Sequence, residues 1–205
     1  MVPINGRPFL EYQLELIRRF GCDRVLLLVG HLAEYIERYF QNGTRWNLVI
    51  SYSKEPSPLG TAGALKLASA QLEDQFLLLN GDTYLAIDYR EMMKRFSEQD
   101  GTCGMMAVYA NPDGIAPNNV EVSGQGMVVR YDKTRSEGLT HVDAGAYVFR
   151  KRILDLIPSD AVASLEEDVF PQLASRDDLA AYPVQERYYD IGTFERLAVA
   201  KKAIS

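Results

Sequence analysis

Apolar residues follow one rhythm through the first hundred positions of this chain and another after it. Leu10, Leu14 and Ile17 recur at helical spacing. Pro8 suits a first helical turn and Gly21 a stop, so the pattern predicts a helix over residues 8–20. Arg24–Val29, apolar from Val25 onward and closed by Gly30, reads as a fully buried strand. A helix over residues 32–40 and a strand over 47–53 follow. A Pro- and Gly-rich loop, residues 54–60, leads into a predicted helix over 61–72. Phe76-Leu77-Leu78-Leu79 reads as a central parallel strand, and Asp88 as the N-cap of a helix over 88–99.

Strand and helix thus alternate, which predicts an α/β fold: a doubly wound, mostly parallel, Rossmann-like sheet. Beyond residue 100 the pattern turns to strands, at 102–109, 120–122, 127–131 and 141–149, with Gly124-Gln125-Gly126 as a hairpin turn. Helices are predicted over 164–173 and 193–203. No linker or repeat divides the 205 residues, so the expectation is one domain, 1–205. Its first half, 1–100, would bind nucleotide, and its second, 101–205, would complete the pocket as a sugar-binding portion.

Composition narrows the function. The formal net charge is −6 with no basic stretch, which argues against a nucleic-acid partner. No apolar run approaches the roughly 20 residues of a bilayer span, and no signal peptide is read at the N-terminus, so no membrane partner is expected and the cytoplasm is the expected compartment. Cys22 and Cys103 have no metal-ligand spacing and read as buried small hydrophobes.

Five segments can carry chemistry. Asp82, in Asn80-Gly81-Asp82-Thr83, follows a buried strand, where open α/β sheets bind ligands; it can hold Mg²⁺ or stabilise the turn. Asp190 stands before Gly192-Thr193 in the same relation to a strand end, as a second metal carboxylate or a cap. The small residues of the segment from Glu55 to Ala64 suit close approach of a planar ligand, and helix amides from about Thr61 can face anionic atoms. Lys133, after a hairpin, can reach a phosphate or lie solvated. Ser164 and Glu167 fit a capping box, which leaves Glu166 free to meet sugar hydroxyls.

In order along the chain, LGTAGAL, LLNGDT, YDK, DAGAYVF, SLEEDVFP and YYDIGT resemble the motifs of the sugar-1-phosphate nucleotidyltransferase family. The resemblance covers essentially the whole chain. It implies nucleotide binding by Glu55, Leu59, Gly60, Thr61, Gly63 and Gly81, and Mg²⁺ on Asp82 and Asp190. It also implies sugar contacts from Gly145 and Glu166, and a catalytic set of Asp82, Lys133 and Asp190. An NTP and a sugar 1-phosphate are the implied substrates, and the family's habit of forming oligomers makes a homo-oligomer an expectation. The chain departs from the family in two places. Glu167 stands where many relatives carry Lys. The family's GGxGTRLxP loop and following PKP are not found, and residues 1–12 resemble the stretch just after them.

That second departure carries a structural expectation. Loss of a central first strand predicts either marginal stability or a gap between the strands at Val25 to Val29 and Leu77 to Leu79, and weak or no activity from the chain alone. Within the family, LNGDT together with EPSPLGTAGA most resembles guanylyltransferases acting on D-glycero-D-manno-heptose 1-phosphate, which would use GTP. Mannose-1-phosphate guanylyltransferase is the nearer alternative, and a non-catalytic nucleotide-sugar-binding module the more distant one.

Overall fold

A computed structural model describes residues 1–99, 101–159 and 161–204. The N-terminus forms a small hairpin, β1 (Pro3–Ile4) and β2 (Arg7–Pro8), and then α1 (Phe9–Arg19). β3 (Arg24–Val29), α2 (Ala33–Phe40) and β4 (Val49–Lys54) come next. α3 (Gly60–Leu67), β5 (Gln75–Leu79), β6 (Thr83–Tyr84) and α4 (Tyr89–Glu98) complete the first half. Asp88 caps α4 as predicted, accepting from the amides of Arg90 and Glu91.

The second half contains β7 (Gly104–Tyr109), the hairpin β8 (Val120–Val122) and β9 (Val128–Tyr131), and β10 (Val142–Arg150). A π-helical turn (Leu165–Val169) runs into α5 (Phe170–Ser175), followed by β11 (Leu179–Val184), β12 (Tyr189–Asp190) and α6 (Phe194–Ala203). The main sheet has the order β11-β7-β10-β5. β7 sits at its centre and is buried along its whole length.

Alternate residues of β7 and β10 face opposite layers, as strand geometry requires. Met105, Ala107, Ala146 and Val148 belong to one apolar core with Leu14 and Ile17 of α1, Phe40 of α2 and Phe96 of α4. Met106, Val108, Tyr147 and Phe149 pack on Leu65 of α3 and on Phe170 and Leu173 of α5. Helices therefore cover both faces, the doubly wound arrangement read from the sequence. Strand direction needs a correction. β11–β7 and β3–β4 are parallel, but β10 runs antiparallel to both β7 and β5, so the sheet is mixed. A strand inserted from the second half has no crossover helix to set it parallel to β5.

β3 and β4 form a sheet of their own. Among the described residues, β3 and β5 each pair on one side only, and no ladder joins them. The expected gap is present. It also corrects the reading of β3 as fully buried: Val29 is buried, but Leu26, Leu27 and Leu28 are only half-buried, because one neighbouring strand covers them.

Candidate active site

The site is assembled where the short strands β6 and β12 meet. Their antiparallel pairing sets Asp190 opposite Thr83 and Tyr189 opposite Tyr84, and the Ile191 amide donates to the Asp82 carbonyl at 3.0 Å. The Asp82 and Asp190 carboxylates then flank Gly192. A β-carbon there would lie 3.4 Å from Asp190 Oδ1 and 3.8 Å from Asp82 Oδ2. Asp82 Oδ1 accepts from the Thr83 hydroxyl at 3.1 Å. Asp190 Oδ1 accepts from the Gly192 amide at 3.1 Å and from Arg196 at 3.3 Å. Among the described residues the Oδ2 atom of each carboxylate has no hydrogen-bond partner.

That donor set suits a hard divalent cation. Mg²⁺ is held through one or two carboxylates and fills its remaining positions with water and phosphate oxygens. The described residues contain no cluster of three or more side chains able to enclose a metal, so the protein offers carboxylates and no closed cage.

The other predicted segments converge on the same place. Gly145 lies in a bulge of β10, where the register to β7 shifts between Asp143 and Tyr147. Its φ of +73° is the left-handed region that glycine accepts, and a β-carbon would press on the Thr83 side chain at 3.0 Å. The Gly145 carbonyl accepts from the Asn80 amide at 2.9 Å, which ties the bulge to the turn carrying Gly81 and Asp82. Thr61, Asn80, Tyr147, Leu165, Glu166 and Phe170 line one shallow cleft. Lys133 closes its rim with an ion pair of 3.0 Å to Glu166.

Two expectations about the small-residue loop need correction. The amides of Ala62 and Gly63 donate to the Ala163 carbonyl at 2.9 and 3.2 Å, so these helix N-terminal donors are spent on the chain itself. The glycines have the same explanation. Gly60 has φ +74°, and a side chain there would run into the Ala163 carbonyl; at Gly63 it would meet the Ala161 carbonyl at 2.8 Å. The close approach read from Gly60 and Gly63 is that of residues 161–163. The Thr61 hydroxyl accepts from the Leu165 amide at 2.8 Å. Glu55 accepts from the Leu59 amide at 2.9 Å and fills the space a side chain at position 30 would need.

The capping box is half correct. Ser164 accepts from the Glu167 amide at 3.2 Å, but the carboxylate that returns to the Ser164 amide is Asp168, at 2.7 Å. The wider π turn brings the fourth residue, not the third, back to the cap.

Asp143, the first residue of DAGAYVF, carried no assigned role from the sequence. Its Oδ2 accepts from the hydroxyls of Tyr147 at 2.7 Å and Tyr131 at 3.1 Å, and its Oδ1 from the Gly145 amide at 2.9 Å. Burial pushes its carboxyl up to about 6; the tyrosine and Gly145 bonds oppose the rise and the nearby Glu166 adds to it. The available signal was local, an Asp two residues before a Gly that must adopt positive φ.

Residues 1–205 match the family model described as Nucleotidyl transferase. The chain belongs to that family. Among relatives of this chain, the UTP–glucose-1-phosphate uridylyltransferase of Synechocystis sp. is 31% identical over 84% of the chain and 49% of its own length. The D-glycero-alpha-D-manno-heptose 1-phosphate guanylyltransferase of Campylobacter jejuni is 31% identical over 82% of the chain and 73% of its own length. HddC from Yersinia pseudotuberculosis, in a crystal structure with GMP-PN, superposes with a TM-score of 0.82 at 27% identity, over 100% of the chain and 89% of that structure. The chain spans about half the length of several curated relatives it matches, mannose-1-phosphate guanylyltransferases among them. No described helix is long and apolar enough to cross a membrane.

Proposed function

We propose that this nucleotidyl transferase joins a nucleoside monophosphate unit, from GTP, to a sugar 1-phosphate, with a heptose 1-phosphate as the sugar substrate. The observation that carries the reading is the pairing of β6 with β12, which brings two carboxylates from positions 82 and 190 to one glycine beside the cleft. A phosphate oxygen of the sugar 1-phosphate attacks the α-phosphorus of the nucleotide in line, and pyrophosphate leaves. Both reactants are polyanions, so positioning and charge neutralisation dominate the barrier. Mg²⁺ held by Asp82 and Asp190 would supply charge neutralisation on the phosphates.

The remaining roles fall to the chain's own groups. Lys133 meets the sugar phosphate, and Gly145 and Glu166 meet the sugar. Glu55, Leu59, Thr61 and Gly81 border the nucleotide, while Gly60 and Gly63 seat their loop against residues 161–163. A carboxylate only accepts hydrogen bonds when ionised, so Glu55 suits a base edge rich in donors, as guanine's is. The relatives named as heptose-1-phosphate guanylyltransferases, and HddC with its guanine nucleotide analogue, favour the same choice. Mannose 1-phosphate is the competing sugar, on the strength of the mannose-1-phosphate guanylyltransferases.

The test is pyrophosphate release from a panel of four NTPs against heptose, mannose and glucose 1-phosphates, with direct nucleotide binding measured alongside. GTP with heptose 1-phosphate is expected to give the highest kcat/KM, and Asp82→Asn to remove it. Equal binding of all four nucleotides, unchanged by Asp82→Asn, would overturn the site assignment.

A further inference from the structure

Gln13 lies on α1, outside the cleft, and is only 5% exposed. Its side-chain amide donates to the Asn80 carbonyl at 2.8 Å and to the Thr83 carbonyl at 2.7 Å. Those two residues bracket Gly81-Asp82. Within the turn, the backbone bond from the Thr83 amide to the Asn80 carbonyl is long, at 3.3 Å. Among the described residues no other side chain hydrogen-bonds to the backbone of residues 80–83. Both N–H groups of one amide therefore close the turn that carries Asp82.

The same amide is a poor choice for stability alone. Gln13 Oε1 is buried and accepts no hydrogen bond among the described residues, and an orphaned buried acceptor is destabilising. Leu14, Leu16 and Ile17 beside it are buried in the apolar core, where methionine would match the volume of Gln13 without a polar atom to satisfy. What glutamine supplies and methionine lacks is the pair of donors aimed at residues 80 and 83.

We infer that Gln13 is a positioning residue: it holds the Asp82 turn at its fixed separation from Asp190 on β12. Elsewhere among the described residues the turn is held by backbone contacts, the Ile191 amide on the Asp82 carbonyl, the Asn80 amide on the Gly145 carbonyl and the β6–β12 pairing, with no second side chain on its backbone. Loss of the Gln13 clamp lets the carboxylate drift from its partner. The inference rests on the reading of Asp82 and Asp190 as the metal carboxylates, and groups that orient metal ligands typically change metal affinity by roughly 10- to 100-fold.

Three variants of the full chain separate this role from simple support of the fold. Gln13→Met keeps volume and helix propensity and removes both donors. Gln13→Glu keeps the shape and turns the donors into acceptors facing two carbonyls. Ile17→Val, a core change on the same helix, gives a comparable loss of stability without touching the turn. Hydrogen exchange is read at residues 81–84 and 191, and the Mg²⁺ midpoint of pyrophosphate release is read in parallel. Both Gln13 variants are expected to exchange roughly tenfold faster in those segments and to need roughly tenfold more Mg²⁺. The KM for sugar 1-phosphate should stay put, and Ile17→Val should change neither reading. Unaltered exchange at 81–84 in both Gln13 variants overturns the clamp. Faster exchange with an unmoved Mg²⁺ midpoint overturns the link to metal binding, and places the fault in the assignment of Asp82. Equal changes in Ile17→Val reduce Gln13 to general support and overturn the inference as well.

Discussion

Lys133 Nζ sits 3.0 Å from Glu166 Oε1, so the proposed phosphate cation and the proposed sugar acceptor neutralise one another. Lys133 is about half exposed, and such pairs contribute only about 0–1 kcal/mol. A doubly charged phosphate can therefore take the ammonium from Glu166 at little cost, and the freed carboxylate turns to the sugar hydroxyls. Glu166→Gln is expected to tighten binding of inorganic phosphate by roughly threefold while raising the KM for the sugar 1-phosphate. Lys133→Met should weaken both by roughly tenfold or more. Phosphate titration and steady-state kinetics on the two variants check this. A Lys133→Met enzyme with normal KM for sugar phosphate would remove Lys133 from the site.

Asp143 gives the cleft a pH dependence of known sign. Its carboxyl is raised to about 6 by burial, against the opposing bonds from Tyr147, Gly145 and Tyr131, with Glu166 the nearby like charge. The folded state thus favours the neutral acid. The stability this contributes is complete below about pH 4, where the unfolded chain also holds the proton, and is lost as pH rises through about 6. The outer edge of the residue is part-exposed, so about 3 kcal/mol is a ceiling for the change. Asp143→Asn does not titrate there. The stability of the parent chain relative to Asp143→Asn should therefore fall between pH 4 and 7, measured by denaturant unfolding at each pH. A difference that is flat across this range would show that the carboxylate is hydrated.

Much of the fold was legible because its cause is local. The apolar run of β3, the α4 cap at Asp88 and the Gly124–Gly126 hairpin turn are set by neighbours in sequence. β11 was not. It contains Pro183, which lacks an amide donor and is tolerated because β11 is the outermost strand of its sheet. β6 and β12 are two residues each and carry no period; only their pairing across a hundred residues makes them strands. The direction of β10 was hidden for a similar reason, since a buried apolar run looks alike in either orientation. At the site, residue types pointed to Asp82, Asp190, Lys133 and Glu166. Of the side chains that act from beneath, Asp143 stood in DAGAYVF without a role and Gln13 had no motif to announce it.

The small-residue loop makes a further prediction, because two explanations of Gly60 give different results. If glycine is there for a nucleotide, Gly60→Ala weakens nucleotide binding and leaves the fold intact. The structure sets Gly60 at φ +74° against the backbone of Ala163. Gly60→Ala should then destabilise the chain in the absence of nucleotide, by roughly 1–3 kcal/mol for the left-handed conformation alone. For a chain of this size that lowers Tm by roughly 3–10 °C. Thermal unfolding without nucleotide decides between them, and an unchanged Tm would return the glycine to the ligand.

The unpaired sides of β3 and β5 bear on stability in a way that hydrogen exchange can map. β7 is bonded on both sides and fully buried, so its amides open only with the whole fold. β3 has β4 on one side and no ladder partner on the other among the described residues, and its leucines are half-buried. In a strand paired on one side, alternate amides point away from the partner and rely on water. Half of the β3 and β5 amides are thus expected to exchange orders of magnitude faster than those of β7, with protection alternating along each strand. Those same edges accept a further strand, so exchange should slow when concentration drives self-association. Uniform protection across β3, β5 and β7 at low concentration would mean that the two sheets are joined in solution, and that the gap is closed.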